Sequence, residues 1–325
     1  MGMKRKLPLF LLAAAGLYWL AARRRHWRGF EGRVVLITGG TRGLGLALAR
    51  RFLSLGARVA VCGRDEETLE RAREQLGHDV FARACDVTEA QQVRELVREV
   101  ERRYGRIDVL INNAGVIQVG PMEEMTIDDY EEAMDTHYWG PVYASLAALP
   151  GMRRRRDGRI VNIASIGGKV AVPHLLPYDG SKFALVGFSE GLRAEAARDH
   201  VYVTTVCPWL MRTGSPRHAF FKGRHEAESV WFTLADALPL ASMSAESAAR
   251  RIVEACRRGE AEVVLTLKGK AAAALRALFP GPVAGLLSLM NRLLPRPGGI
   301  GRERRKRAAL PALTEKAARA YNQDG

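Results

Sequence analysis

The sequence predicts an α/β fold in which a doubly wound, parallel seven-stranded sheet forms a single domain. Short β-branched runs alternate with longer helical stretches over the body of the chain, as parallel strands joined by helical crossovers require. No internal repeat or low-complexity linker divides this region. The 325 residues, 47% hydrophobic and 26% charged, exclude a disordered or fibrous chain and suffice for a large core.

Seven runs are predicted to be strands, and they set the limits of the domain. The domain is expected over residues 33–266, after an N-terminal hydrophobic anchor with its basic flank at 1–32. A C-terminal extension of amphipathic helices and a basic tail is expected over 267–325. The predicted strands are 34–38, 58–62, 80–85, 107–111, 159–164, 201–207 and 262–266.

The formal net charge of +15 is concentrated at the two ends of the chain. Residues 1–32 carry +6 and residues 296–325 carry +5, so the body between them keeps only +4. Nucleic acid, a membrane surface and an acidic ligand are the partners that such a charge suggests. No nucleic-acid partner is expected, because the basic runs lack interleaved aromatic residues and no recognition motif accompanies them.

Residues 7–22 form an uncharged apolar run between two basic clusters. As a helix these sixteen residues span roughly 24 Å, against a hydrocarbon core of about 30 Å. A cleaved signal peptide, an uncleaved anchor and an interfacial helix are the alternatives. Retained membrane attachment is favoured, because the run continues past the small residues at 13–15 and ends in a basic cluster. That second cluster is the larger one, which predicts a body on the cytoplasmic side.

A second apolar stripe recurs at helical spacing over residues 283–294. Two interpretations stay open: the stripe contacts the lipid interface beside the anchor, or it packs against the body or a second subunit. Its residues are Val283, Leu286, Leu287, Met290 and Leu294.

The cysteines indicate neither a metal site nor a disulfide framework. They are widely separated, and no CxxC pair or His at ligand spacing accompanies them. We therefore expect reduced, buried thiols and no metal. The four are Cys62, Cys85, Cys207 and Cys256.

A glycine-rich turn lies between the first predicted strand and a predicted helix over 46–53. Glycines allow the tight turn, the close approach of backbone to a pyrophosphate and the close packing of helix on strand. The N-terminus of the helix adds N–H groups and a positive potential. This position in a strand–turn–helix unit favours nucleotide binding over a plain structural turn. The candidate residues are Gly39, Thr41, Arg42, Gly43, Leu44 and Gly45.

Arg64 follows the second predicted strand, where a fold that prefers NAD usually offers a carboxylate to the ribose hydroxyl. Together with Arg42 it supplies two guanidinium groups that suit a 2′-phosphate, so NADP(H) is the predicted cofactor. The alternative for either arginine is a plain surface charge. The neighbouring Asp65 is expected to cap the helix that begins at Glu66.

Tyr178 and Lys182 are four residues apart, on one face of a predicted helix. A phenol with a pKa near 10 is a poor acid or base at neutral pH, unless an adjacent ammonium group and a bound nicotinamide cation favour the phenolate. Thirteen residues upstream of the tyrosine, Ser165 ends a predicted strand and could donate to the same substrate oxygen.

These motifs, in this order, resemble the classical short-chain dehydrogenase/reductase family over about residues 33–266. The resemblance implies a Rossmann fold, a nicotinamide cofactor, and a homodimer or homotetramer. With the anchor and Arg64, the stretch 178–188 is most similar to the membrane-anchored hydroxysteroid dehydrogenase-like branch. The motifs are 38–45, Asp86-Val87, 112–115, Ser165, Tyr178, Lys182 and 208–213.

The resemblance also implies individual roles. Tyr178 is expected to be the general acid/base, Ser165 to position the carbonyl, and Lys182 to hold the nicotinamide ribose and lower the pKa of the tyrosine. Asp86 and Val87 are expected beside the adenine, and Thr213 at the carboxamide. The remaining residues expected to line the cofactor are Asn113, Ala114, Gly115 and Pro208.

Two residues depart from the family pattern. His137 stands where the family usually has an Asn that helps a proton-relay water; because an imidazole also donates and accepts, His137 is a fourth catalytic candidate. Trp209 stands where the family has a glycine after Pro208, and its indole could narrow the pocket near the nicotinamide.

Aromatic and aliphatic side chains follow Thr213, in the segment expected to cover the substrate. With membrane attachment they predict a lipophilic carbonyl/alcohol pair, such as a steroid, retinoid, long-chain aldehyde or keto-lipid, and an enzyme that acts mainly as a reductase. The alternative is a catalytically weak NADPH-binding membrane sensor or scaffold, suggested by Trp209 and His137. The covering residues are Phe220, Phe221, Trp231, Phe232 and Leu234.

Overall fold

A computed structural model of the protein describes residues 27–212, 217–237, 242–306, 319 and 321. Its centre is a seven-stranded sheet in which every pair of neighbouring strands is parallel. The order across the sheet is β7-β6-β5-β4-β1-β2-β3. The strands are β1 (Val34–Thr38), β2 (Arg58–Gly63), β3 (Phe81–Ala84), β4 (Val109–Asn112), β5 (Gly158–Ile163), β6 (Val201–Cys207) and β7 (Glu262–Val264).

Helices cover both faces of this sheet, which confirms the doubly wound α/β prediction. Along β1 the side chains alternate: Val35 and Ile37 join one hydrophobic core, and Val34 and Leu36 join the core on the opposite face. The helices are α1 (Gly43–Leu53), α2 (Glu66–Leu76), α3 (Ala90–Tyr104), α4 (Ile127–Met134), α5 (Gly140–Arg155), α6 (Leu176–Ala196), α7 (His225–Ala237), α8 (Ala245–Arg258), α9 (Leu267–Leu278) and α10 (Pro280–Asn291).

All seven predicted strands are present, and the largest differences in their bounds have local causes. The predicted strand at 107–111 begins later, at Val109, because the buried Asp108 carboxylate accepts a hydrogen bond from the N–H of Val34 at 2.9 Å. The last strand ends at Val264 instead of 266, because the Thr266 side chain caps α9 by accepting from the N–H of Gly269 at 3.0 Å.

The C-terminal extension forms the helices α9 and α10, which meet at a bend of 118°. After them the chain returns to the body, where Arg305–Lys306 pairs with Phe220–Phe221 in a small sheet that also includes Gln118–Val119. Over the described ranges no single helix is long and apolar enough to cross a bilayer; α9 and α10 meet that test only as a bent pair. The predicted anchor at 7–22 lies outside the described residues.

Candidate active site

A cavity of about 820 Å³ lies at the carboxyl ends of the central strands. Ligands bind at this edge of an open parallel sheet, because the loops that follow the strands diverge there. The cavity runs from the glycine-rich turn after β1, past Ser165 and Tyr178, to α10. One continuous space therefore connects the predicted cofactor site with the predicted substrate site.

The glycine-rich turn packs against the end of β4 and leads into α1. Gly39 has a φ of +61°, and a Cβ there would lie 2.8 Å from the Cα of Ala114, so only glycine fits this approach. The N–H of Gly43 donates to the carbonyl oxygen of Tyr321 at 2.7 Å. A phosphate at this turn would therefore meet the other N–H groups at the start of α1. Thr41, Arg42 and Leu44 also line the cavity.

Two arginines, Arg42 and Arg64, line the cavity beside the glycine-rich turn and the end of β2. Burial, and then the charge of Arg64, lower the pKa of the Arg42 guanidinium. An anionic ligand that binds between two neighbouring cations would stabilise both charges. Asp65 does not offer a free carboxylate here, because its Oδ1 accepts from the N–H of Thr68 at 2.8 Å and caps α2, as expected.

The loops after β3 and β4 complete the cofactor half of the cavity. The Asn113 side chain donates to the carbonyl oxygens of Thr38 and Gly39 at 3.1 and 2.9 Å, which ties the end of β4 to the end of β1. Asp86 Oδ1 accepts from the N–H and the hydroxyl of Thr88 at 3.0 and 2.9 Å. The other predicted residues on this wall are Val87, Ala114, Gly115 and Pro208. Thr213 lies outside the described residues.

Ser165 and Tyr178 meet at the centre of the cavity. Both line the cavity, and burial raises the pKa of Tyr178 to about 12, an effect larger than the lowering by the neighbouring serine side chain. The serine itself follows β5, where its Oγ accepts from the N–H of Gly167 at 3.0 Å and is held in place. A buried phenol with this pKa is protonated at neutral pH, which is the form that a proton donor needs.

Lys182 lies one helical turn after Tyr178, with its Nζ 5.6 Å from the centre of the phenol ring. The ammonium group donates to the carbonyl oxygen of Ile163 at 2.9 Å. Burial lowers the pKa of Lys182 to about 7. Burial is the largest influence on both pKa values and disfavours the charged form of each group, so the lowering of the Tyr178 pKa by this lysine stays a prediction for the cofactor-bound protein.

His137 is fully buried in a single π-helical turn, Asp135–Trp139, between α4 and α5. Its Nε2 accepts from the N–H of Val116 at 3.1 Å, so the proton is on Nδ1, which lies 2.8 Å from the Ser181 hydroxyl. Burial, and then the Lys182 charge, hold the pKa of His137 well below its usual range. Both ring nitrogens are engaged within the protein, which favours a positioning role beside Tyr178 over the water relay that the sequence suggested.

Asp179 is a residue of the site that the sequence analysis did not single out. It is 2% exposed and lines the cavity beside Tyr178. Oδ2 accepts from the N–H of Val172 at 2.6 Å, and Oδ1 has no partner among the described residues. Burial raises the pKa of this carboxyl to about 8. One sequence feature could have identified this residue. It is an acidic residue inside the Tyr-x-x-x-Lys motif, close to the buried Lys182 on the same helix.

The indole of Trp209 lies against the first turn of α9. A Cβ on Gly269 would lie 3.4 Å from Trp209 Cε3, so the ring and that glycine are in contact. The backbone at Trp209 does not adopt a positive φ, so no glycine is needed there. Trp209 therefore connects the wall of the cavity to the C-terminal helices.

Apolar side chains line the other half of the cavity. The Trp231 indole is oriented by a buried network, in which Glu228 accepts from Trp231 Nε1 at 2.7 Å and lies 2.8 Å from His174 Nδ1. Of the predicted covering residues, Phe221 belongs to a hydrophobic core and not to the cavity wall, and the side chain of Leu234 is not described. The apolar lining includes Ile117, Val172, Leu175, Phe220, Trp231, Phe232, Leu287, Met290 and Leu294.

Comparison with known proteins decides the family. A family model described as short chain dehydrogenase matches residues 33–220, which is more than half of the chain. The chain belongs to the short-chain dehydrogenase family. A solved short-chain dehydrogenase from Streptomyces avermitilis is similar, with a TM-score of 0.68 and 28% identity over 81% of this chain and 97% of that chain.

Two curated relatives of this short-chain dehydrogenase are similar over most of its length. A "Dehydrogenase/reductase SDR family protein 7-like" from Anopheles gambiae is 33% identical over 81% of this chain and 84% of its own. "Dehydrogenase/reductase SDR family member 7B" from Bos taurus is 33% identical over 85% of this chain and 87% of its own. The predicted likeness to the hydroxysteroid dehydrogenase-like branch is confirmed.

A third relative covers the body alone. A "Putative ketoacyl reductase" from Streptomyces coelicolor is 40% identical over 56% of this short-chain dehydrogenase and 72% of its own chain. Membership of the family makes the protein an oxidoreductase that uses a nicotinamide dinucleotide. The glycine-rich turn, the two arginines and the Ser165–Tyr178 pair along one cavity fit such a cofactor.

Proposed function

We propose that the protein is a membrane-attached, NADP(H)-dependent reductase of a lipophilic carbonyl compound. The observation that carries this proposal is the position of Ser165 and Tyr178 in one cavity, between the glycine-rich turn and an apolar half-cavity. The residues on the side of the glycine-rich turn suit a dinucleotide, and the residues of the apolar half-cavity suit an apolar substrate. The reacting carbonyl belongs between them.

The proposed roles follow from the hydrogen-bonding capacity of each side chain. The Ser165 and Tyr178 hydroxyls donate to the substrate oxygen and hold it in place. A bound nicotinamide supplies the hydride that reduces the carbonyl carbon. Tyr178, protonated because burial raises its pKa to about 12, then gives its proton to the developing alkoxide. Donation requires the protonated phenol, and burial favours that form at neutral pH.

The preference for NADP(H) rests on Arg42 and Arg64. Both line the adenosine end of the cavity, and the nearby Asp65 is engaged in capping α2. Arg42 also contacts His218, its Nη1 lying 3.1 Å from the ring Nδ1, which gives the guanidinium a fixed orientation. A 2′-phosphate between the two arginines would relieve their mutual repulsion.

A lipophilic substrate and a membrane are proposed together. The apolar run at 7–22 attaches the protein to the bilayer, with the body on the cytoplasmic side. The aromatic and aliphatic lining of the substrate half suits a steroid, retinoid, long-chain aldehyde or keto-lipid. Self-association through α5, α6 and the π-helical turn before α5 is part of the proposal, since Trp139, Leu146 and Phe183 are exposed there at 42%, 57% and 40%.

The test is NADPH oxidation by the purified full chain against a panel of lipophilic carbonyls, with NADH as the control cofactor. Turnover of at least one carbonyl with NADPH, and much weaker turnover with NADH, is expected. Tight NADPH binding without turnover across the panel would instead favour the alternative of a sensor or scaffold. Sedimentation of the same preparation measures its oligomeric state.

A further inference from the structure

The helices α9 and α10 cover the substrate half of the cavity. Leu287, Met290 and Leu294 recur at helical spacing and line that cavity. This settles which part of the predicted apolar stripe at 283–294 faces the body. The stripe is divided, because Leu286 points away from the body and is 65% exposed.

The outer face of the same pair is apolar as well. Of the fourteen large hydrophobic side chains that are exposed in the described part of the chain, seven lie in this short segment. Such a concentration of exposed apolar side chains in one segment is rare on a monomer in water and marks a contact with a partner or a membrane. The seven are Leu267, Leu275, Leu278, Phe279, Leu286, Leu289 and Leu293.

The charge of this segment identifies its partner. Residues 263–302 contain six Lys and Arg and no Asp or Glu. Exposed Lys268 and Lys270 flank the apolar face at one end, and exposed Arg292 and Arg296 flank it at the other. Anionic lipid headgroups complement such a border, whereas a second copy would bring the same positive charge against it.

We propose that the outer face of α9 and α10 docks into the surface of an anionic bilayer, so that the cavity beneath them exchanges its substrate directly with the lipid. The docking itself stands on the exposed apolar face and its basic border. The exchange of substrate rests on the function proposed above.

The geometry of the pair favours docking over crossing. Each helix has twelve residues and is about 18 Å long, too short for a hydrocarbon core of about 30 Å. The 118° bend sets the two helices at a steep angle to one another. Helices with an apolar face and a basic border lie in the plane of the interface.

The pair is fastened to the body at both ends, so docking would also orient the body. At its start Gly269 contacts Trp209, and Thr266 caps the first turn of α9. Beyond its end, the N–H of Gly298 donates to Glu124 Oε1 at 2.9 Å, and Arg304 pairs with Glu132 at 2.6 Å and with buried Asp129. One face of α10 lines the cavity, and the opposite face of the same helix is exposed.

A polarity-sensitive label tests the docking without requiring turnover. All four native cysteines are buried, so an NBD fluorophore on Leu289→Cys of the full chain labels the outer face selectively. The matched control is Arg102→Cys on α3, where the native side chain is 74% exposed. With phosphatidylcholine–phosphatidylserine vesicles we expect a blue shift and quenching by lipid-linked quenchers for the first label only.

Each contrary outcome overturns the docking. One is a Leu289→Cys label that stays in water although the chain sediments with the vesicles, which would mean attachment through 7–22 alone. Another is a blue shift without vesicles that grows with protein concentration, which would mean that a second copy covers the face. Neither outcome depends on activity, so failure of the docking and failure of the proposed reductase are distinguishable.

A kinetic arm tests the substrate route. The double variant Leu289→Lys/Leu293→Lys should keep its activity on a short, water-soluble carbonyl. On a long-chain carbonyl delivered in anionic vesicles, its activity should fall at least about tenfold. Ile127→Lys, at an apolar position 70% exposed on α4, is the control and should lose neither activity. Equal loss on both substrates, or no loss on either, contradicts direct exchange with the lipid.

Discussion

The backbone N–H of Val172 donates to the Asp179 carboxylate at 2.6 Å, which fastens the loop after Ser165 to the helix that carries Tyr178. The second carboxylate oxygen lies over Gly167, where a Cβ would be only 2.5 Å from it. The two hydroxyl groups proposed to hold the substrate oxygen thus belong to segments joined by a buried carboxyl group. Because burial disfavours the ionised form of this carboxyl group, its contribution to the free energy of unfolding depends on pH.

Asp179→Asn should make the stability of the protein less sensitive to pH. The pKa of Asp179 is about 8 in the folded chain and about 3.9 when unfolded, so the folded state binds the proton more tightly. The free energy of unfolding therefore falls as pH rises between these values. Urea unfolding at about pH 5 and about pH 8 should show a smaller fall for Asp179→Asn. Exposed Asp128→Asn is the control, and an unchanged fall in Asp179→Asn would contradict the prediction.

Tyr178→Phe should remove turnover and leave cofactor binding intact. The phenol is the proton donor in the proposed reaction, and general acid catalysis contributes about 10²- to 10⁴-fold. A loss of at least that size in kcat is expected, measured by NADPH oxidation, with an unchanged Kd for NADPH. Tyr143→Phe, on α5 and stacked on Trp139, is the control. Full activity in Tyr178→Phe would reject the mechanism.

Arg42→Ala and Arg64→Ala should weaken NADPH binding and leave NADH binding nearly unchanged. A charge-assisted hydrogen bond contributes about 1.5–3 kcal/mol, so each variant should raise the Kd for NADPH by about 10- to 100-fold. Arg58→Ala, at the opposite end of β2, is the matched control. Equal losses for the two cofactors, measured by fluorescence titration, would assign these arginines a role other than recognition of a 2′-phosphate.

His137→Ala should destabilise the protein, and His137→Asn should restore part of the loss. Removal of the imidazole leaves the buried N–H of Val116 without its acceptor, at a cost of about 1–3 kcal/mol. Asn offers a carbonyl oxygen to the same N–H. If His137 only positions Tyr178, kcat should fall in the Ala variant while the shape of its pH profile is kept. A pH profile that loses an ionisation would show direct participation of the imidazole.

The strands and the order of the motifs could be predicted from sequence because both depend on local patterns. Runs of β-branched residues identified every strand of the central sheet, and a doubly wound sheet brings the loops after its strands to one edge. The predicted fold therefore implied that Ser165 and Tyr178 lie near each other. The strand ends differed by one or two residues, and at the two largest differences the side chains of Asp108 and Thr266 bond to the backbone.

The electrostatics of the site could not be predicted in the same way. The pKa values of Tyr178, Asp179 and Lys182 are set mainly by burial, and burial depends on how distant segments pack. The sequence placed a lysine beside a tyrosine and suggested an activated phenol. It carried no measure of the desolvation that opposes this activation.

The contact between Trp209 and Gly269 joins two positions that a simple alignment would treat as unrelated. A Cβ added at 269 would lie 2.9 Å from Val264 Cγ1 and in van der Waals contact with the indole at 3.4 Å, and a glycine at 209 would remove the ring that packs against the first turn of α9. Substitutions at these two positions are therefore expected to be coupled in their effect on stability. A homologue that lacks the C-terminal helices has no reason to carry tryptophan here, so this residue should accompany the helices from one genome to the next.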